Sequence, residues 1–156
     1  MNKLGFILIT CLLFFFITSN INAQWVGIGP CTTYISCITA SSDYLFAGSG
    51  SNGLYRSGNN GNSWEASNSG LTIPDILTIT SSGSNLFAGT YGRGVFLSTD
   101  NGNSWNPVNT GLPDYIVIRC ILINGTNMFA GTGGGNGGVY LSVGAIIIIL
   151  LLIVLL

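Results

Sequence analysis

Between two strongly aliphatic ends, the chain is a succession of short apolar clusters separated by turn residues. The clusters are rich in aromatic and β-branched residues, and Gly, Ser, Asn and Asp recur at short intervals between them. Such a pattern predicts many short strands joined by tight turns. One stretch shows it clearly: strand signals fall at 76–80, 85–89, 94–98 and 104–107, four within about 40 residues.

That stretch is one copy of a repeat. Leu45-Phe46-Ala47-Gly48 returns as Leu86-Phe87-Ala88-Gly89 and as Met128-Phe129-Ala130-Gly131, at offsets of 41 and 42 residues. An isoleucine stands ten residues ahead of each copy: Ile35, Ile76 and Ile118. Ser57 and Ser98 follow the first two glycines by nine residues, and Ser142 follows the third by eleven, because the Gly-rich stretch 132–138 carries two more. Two of the serines open longer matching phrases that end in Trp64 and Trp105. Trp25, with Gly29-Pro30 behind it, resembles the tail of an earlier unit. Four strands per unit of this length is the content of one β-propeller blade. Stacked blades cover their inner strands on both sides, so these should read as nearly continuous apolar runs, as 118–123 largely does. The Phe-Ala-Gly triplet then suits a second strand against which a neighbouring blade packs closely.

The phrase Ser98-Thr99-Asp100-Asn101-Gly102-Asn103-Ser104-Trp105 resembles the Asp-box, or BNR repeat, of sialidase-like and sortilin-like propellers. Residues 57–64 match it except for Asn59 in the Asp position. The wider unit is similar to secreted bacterial propellers and to the repeats of the photosystem II stability and assembly factor. This resemblance covers about residues 25–142. It implies an all-β chain, a partial β-propeller of about three four-stranded Asp-box blades, and leaves the function open because the box occurs in enzymes and non-enzymes alike. The residue types also make physical sense. Asp100, or Asn59, can accept backbone N–H bonds within the turn, and Ser98 or Ser57 can close the same loop. Gly102 and Gly61 permit a positive φ, and Trp105 and Trp64 should cover their hairpins with apolar surface. A structural turn is expected rather than a calcium site, because Asp100 is the only acidic residue within a box.

The ends change the picture of the whole. Lys3, the apolar run 4–18 and the polar stretch ending at Ala23 read as a signal peptide over 1–23, which predicts a secreted or cell-envelope protein. The rest of the chain, 24–142, carries three arginines against five acids, a net charge of −2. A balance so near zero gives no basis for nucleic-acid binding. The third unit stops at Ser142, and 143–156 is almost wholly Ile, Leu and Val. At 14 residues this run is short of the roughly 20 that span a bilayer. Three readings stay open: a segment foreign to the fold, a membrane-associating tail, and a strand completing the last blade.

Candidate chemistry is sparse. The chain has no His, removing the commonest general base and metal ligand, so no metal or cofactor is expected. A sialidase-like site would need converging arginines, but Arg56, Arg93 and Arg119 occupy unrelated repeat positions, and Glu65 is the only Glu. Catalysis is therefore not expected; the competing reading is a remnant of a sialidase-like glycoside hydrolase. Cys31, Cys37 and Cys120 follow the signal. Cys37 and Cys120 share a repeat position with Thr78, which favours small buried residues over a disulfide, whereas Cys31 and Cys37 could bridge a short loop. Asn124-Gly125-Thr126 fits a glycosylation acceptor.

Three blades fall short of the roughly four to eight of a closed ring, so the chain reads as a piece of a longer propeller or as one that self-associates through open blade faces. A noncatalytic binding or assembly module for a protein or glycan ligand is expected. Its binding surface should be the face shared by the turns 49–53, 90–94 and 132–138 and the connections 65–75 and 106–116, since loops on a rigid scaffold carry recognition. Tyr91, Arg93, Asp75, Asp114 and Tyr115 are its best-equipped side chains. Deleting 143–156 should raise solubility and leave the β signal in circular dichroism intact; loss of that signal would make the tail a strand of the fold.

Overall fold

A computed structural model describes residues 26, 27, 29, 34–134 and 137–142. The signal segment, Trp25, Cys31 and the aliphatic run 143–156 lie outside the described residues. Among the described residues, eleven strands form three antiparallel sheets. The first holds β1 (Ile35–Ala40), β2 (Leu45–Ser49), β3 (Gly53–Ser57) and β4 (Glu65–Ala66). The second holds β5 (Ile76–Ser82), β6 (Asn85–Thr90), β7 (Val95–Ser98) and β8 (Asn106–Pro107). The third holds β9 (Val117–Asn124), β10 (Asn127–Gly133) and β11 (Val139–Leu141). Each is a meander in chain order, all-β throughout, as the repeat implied. The outermost strands are shorter than expected: β8 begins at Asn106 rather than Ser104. The amide of Trp105 is used elsewhere, donating at 2.9 Å to the carbonyl of Ser69 in the preceding connection.

A bulge at one repeat position orients the first strand of every blade. The register between first and second strands shifts between Ile35 and Cys37, between Ile76 and Thr78, and opposite Gly131 and Thr132. One extra residue (Ser36, Leu77, Arg119) therefore separates isoleucines that would otherwise point to opposite faces. Ile76 and Ile79 enter one core, and Ile118 and Ile121 the next.

Both cores lie between blades. The first joins Phe46 and Leu54 of blade one to Ile76, Ile79, Leu86, Ala88, Phe96 and Trp105 of blade two. The second joins Val95 of blade two to Ile118, Ile121 and Ala130 of blade three, with Ile116 from the connection. The glycine of each Phe-Ala-Gly triplet sets the approach. A Cβ on Gly89 would lie 2.5 Å from Ile118 Cγ2, and one on Gly48 would lie 2.8 Å from Ile76 Cγ2, both far inside van der Waals contact.

The expectation that inner strands are covered on both sides holds for β5 and needs correction for its counterparts. β1 and β9 are each covered on one face, leaving Ile38 66% and Leu122 64% exposed. Cys37 and Cys120 differ for the same reason. Cys37 faces blade two and is half-buried, with burial raising its thiol pKa. Cys120 is exposed rather than buried, and both thiols are free.

Trp105 reaches beyond its own hairpin. It is 2% exposed, wedged against blade one, and its Nε1–H donates to the Ser67 carbonyl at 2.9 Å. Truncating so buried an aromatic typically costs about 3–5 kcal/mol. Trp105→Ala should therefore lower the melting temperature well below that of the parent chain; an unchanged thermal unfolding curve would show that the junction does not depend on it.

Candidate functional site

The turns 57–64 and 98–105 share one internal network. In each, the serine hydroxyl accepts the glycine amide at 2.9 Å, from Gly61 to Ser57 and from Gly102 to Ser98. The same hydroxyl donates to the side-chain oxygen two residues on, at 2.9 Å to Asn59 and 2.8 Å to Asp100. That oxygen also accepts the amide of Ser63 or Ser104 at 2.9 Å. Asn60 and Asn101 take φ near +57° and +56°, ahead of the left-handed Gly61 and Gly102. Only one bond reverses. Ser104 Oγ donates to the second carboxylate oxygen of Asp100 at 2.6 Å, whereas Asn59 Nδ2 donates to Ser63 Oγ at 2.8 Å. Trp64, half-buried, donates its Nε1–H to the Gly61 carbonyl of its own turn at 3.1 Å.

Arg56 ties these two turns together. Its Nε donates to Glu65 at 2.6 Å, and its Nη1 donates to Asn101 O and Asn103 Oδ1, both at 2.8 Å. Arg93 lies in the β6–β7 turn and Arg119 in β9, so the three arginines have different surroundings. Among the described residues no cluster of three metal-ligating side chains occurs.

The other end of the blades carries the β2–β3 and β6–β7 turns and the blade-to-blade connections, joined by backbone bonds. Gly53 N donates to Pro74 O at 2.8 Å, Tyr91 N to Asp75 O at 3.0 Å, and Gly92 N to Ile116 O at 3.1 Å. The 90–94 turn is held from inside. Thr90, fully buried, donates its hydroxyl to Gly94 O and accepts the Arg93 amide. Asn109 reaches across from the connection, its Oδ1 accepting Val95 N at 2.7 Å and its Nδ2 donating to Arg93 O at 2.9 Å. Asn68 holds Leu54 N in the same way at 2.7 Å. Sequence reasoning passed over Thr90, Asn68 and Asn109. Their signal was positional: each asparagine stands four residues after a repeat tryptophan and two before Gly-Leu.

Arg93, Asp114 and Tyr115 line one cavity of about 390 Å³, with Asn109, Leu112 and Pro113. Tyr115 is 83% exposed and holds φ +57°, a left-handed conformation uncommon for a bulky side chain. Tyr91 and Asp75 do not line this cavity. They sit beside it, Tyr91 exposed and bridged to Val117, and Asp75 half-buried.

The Asp100 carboxyl has a pKa of about 2, against an ordinary 3.8, chiefly because the Ser104 hydroxyl donates to its charged form, then through the Ser104 amide and the Ser98 hydroxyl. A lowered native pKa contributes stability in full above the unfolded value, and loses it as pH falls from about 4 to about 2. Asp100→Asn, which copies the Asn59 turn, should fold normally at neutral pH and lose less melting temperature than the parent across that window. Equal losses in both proteins would show that the carboxylate does not set the acid response.

No family model matches the chain, and no curated protein does so either. Solved structures do match. An ancestral GH74 enzyme aligns with a TM-score of 0.57 at 23% identity, covering 70% of this chain and 15% of that one. The GH74 xyloglucanase from Xanthomonas campestris gives 0.52 at 17%, covering 69% and 20%. YCF48 from Cyanidioschyzon merolae gives 0.54 at 16%, covering 72% and 35%. The chain thus spans between about a seventh and a third of these proteins. What is shared at such identities is architecture: the chain is an all-β partial propeller of three consecutive blades.

Proposed function

We propose that this chain is a noncatalytic binding module that works outside the cytoplasm, and that the cleft of Arg93, Asp114 and Tyr115 is where it takes a glycan or protein ligand. The carrying observation is the contrast between frame and lining. The 90–94 turn is fixed by Thr90 and Asn109, while the Arg93, Asp114 and Tyr115 side chains project exposed around a shared cavity. A rigid frame limits the ordering cost of binding, and a tyrosine offers broad contact area with few rotatable bonds. The positively charged Arg93, the negatively charged Asp114 and the amide of Asn109 give the cleft hydrogen-bonding groups of different types. The hydrogen-bond networks at 57–64 and 98–105 support reading these turns as Asp-boxes with a structural role. The signal-like segment at 1–23 supports export.

A second reading, a piece of a glycoside hydrolase, draws on the GH74 enzymes among the structural neighbours. One experiment separates the two. The chain is titrated against an array of soluble glycans, xyloglucan oligosaccharides included, and each mixture is assayed for released reducing ends. Binding without release is expected, with Arg93→Ala and Tyr115→Ala each weakening it at least tenfold. Release of reducing ends would favour the hydrolase, and binding unchanged in both variants would remove the cleft from the function.

A further inference from the structure

The second junction contains a cavity of about 190 Å³ whose walls repeat those around Trp105 one blade further on. Trp105 packs in the first junction with Leu54, Leu71, Leu86, Ala88 and Phe96. The cavity is lined by the residues at the same repeat positions: Val95, Leu112, Met128, Ala130 and Tyr140. The polar rim repeats as well. The Ser67 and Ser69 carbonyls accept the two N–H groups of Trp105, and Val108 and Thr110 stand at those positions beside the cavity. Gly70, at φ +87°, lies so near the Trp105 carbonyl that a Cβ would strike it. Its counterpart Gly111 has φ +86°, yet nothing stands within 4 Å of where its Cβ would be. A mainly apolar cavity of about 150 Å³ accepts benzene, so this one has the size and lining for an aromatic side chain.

The chain has three tryptophans. Trp64 and Trp105 belong to blades one and two, and residues 143–156, where the repeat would place the next one, hold none. That leaves Trp25, ten residues before Ile35, much as Trp64 stands twelve before Ile76 and Trp105 thirteen before Ile118. By its register Trp25 is the tryptophan of a blade preceding β1, and the blade without one is the third. The two outward faces match this order. Val139, at the position of Leu54 (0% exposed) and Val95 (1%), is 75% exposed on blade three. Ile35 and Ile38 are exposed on blade one, whereas Ile76, Ile79, Ile118 and Ile121 at the same positions are buried.

We propose that a second copy of this chain completes blade three: Trp25 of one copy enters the cavity between blades two and three of the other, and the segment behind it lays β1 against the face bearing Leu122 and Val139. Done reciprocally, this joins the three described blades of each copy into six in one closed two-fold assembly, within the roughly four to eight of closed propellers. The same faces that join blades within a chain would join the copies.

Sedimentation of the full chain across a range of concentrations tests this. A species of two copies' mass is expected. Trp25→Ala should raise the concentration needed to form it at least tenfold. Val139→Asp and Ile38→Asp, both at exposed positions, should each yield monomers with unchanged circular dichroism. Mixing those two variants should restore two-copy mass, because one junction of the mixed pair carries neither substitution. A chain that stays monomeric overturns the proposal, as does an open-ended polymer. So does association that Trp25→Ala and Val139→Asp leave untouched, which would assign it to another surface such as 143–156. Ile38 and Val139 do not line the Arg93 cleft, so failure here and failure of the binding module are read separately.

Discussion

The approach of one blade to the next depends on glycine, above all on the glycine of the first two Phe-Ala-Gly triplets. At Gly48 and Gly89 the following blade's isoleucine occupies the space a Cβ would need. Close-packed interiors transmit such a constraint outward. With the backbone this close, Ile76 and Ile79 can seat beside Phe46, and Ile118 and Ile121 beside Val95. The bulge in each first strand is the partner of this contact, because it turns both isoleucines toward the same neighbour. A larger residue at the glycine or a regular strand at the bulge would part the sheets. The hydrophobic stabilisation of this chain is concentrated in the spaces between its sheets.

The two ends of the blades divide the remaining work by how they use polar groups. At the outer turns nearly every strong donor and acceptor is committed: Ser98 and Asp100 bind each other and the turn backbone, and Arg56 binds the next blade's turn. Side chains so engaged are poor ligands for anything else, since binding would first have to break satisfied bonds. At the opposite end the backbone is equally fixed, but by buried Thr90 and by Asn109, which bind Arg93 through its main chain and leave the side chains of Arg93, Asp114 and Tyr115 outside the frame. On the proposed reading, recognition and structure would fall on different residues of the same 40-residue unit.

Much of the fold was legible because the repeat fixes register: once Leu86-Phe87-Ala88-Gly89 is set on Leu45-Phe46-Ala47-Gly48, four strands per blade follow from turn chemistry. Burial was less legible, because it depends on having a neighbour. Cys37 and Cys120 occupy one repeat position, yet one is half-buried and the other exposed, since only the first has a described blade packed over it. The short β8 was hidden for a related reason: the Trp105 amide bonds across the junction, an interaction absent from any single blade. Of the candidate site, Arg93, Asp114 and Tyr115 converge on one cleft, while Tyr91 and Asp75 stand to its side. Loop membership placed all five on one face, but which of them share a cavity depended on the left-handed turn at Tyr115, and no residue type there announced it.

Asparagine carries more of this architecture than its loop-like abundance implies. Asn59 does the work of Asp100 without its charge; Asn60 and Asn101 accept left-handed backbone; Asn68 and Asn109 clamp connections to turns. A side-chain amide both donates and accepts, so one residue can bind an N–H and a C=O at once, as Asn109 does with Val95 and Arg93. A carboxylate could accept but not donate. With only 6% charged residues, the chain closes most of its described loops by neutral hydrogen bonds. Salt screens exposed charge pairs, whereas these amide clamps would hold the turns at any ionic strength. Asp100 and Arg56 are exceptions, and the charge of Asp100 makes the second outer turn an element of this network that answers to acid.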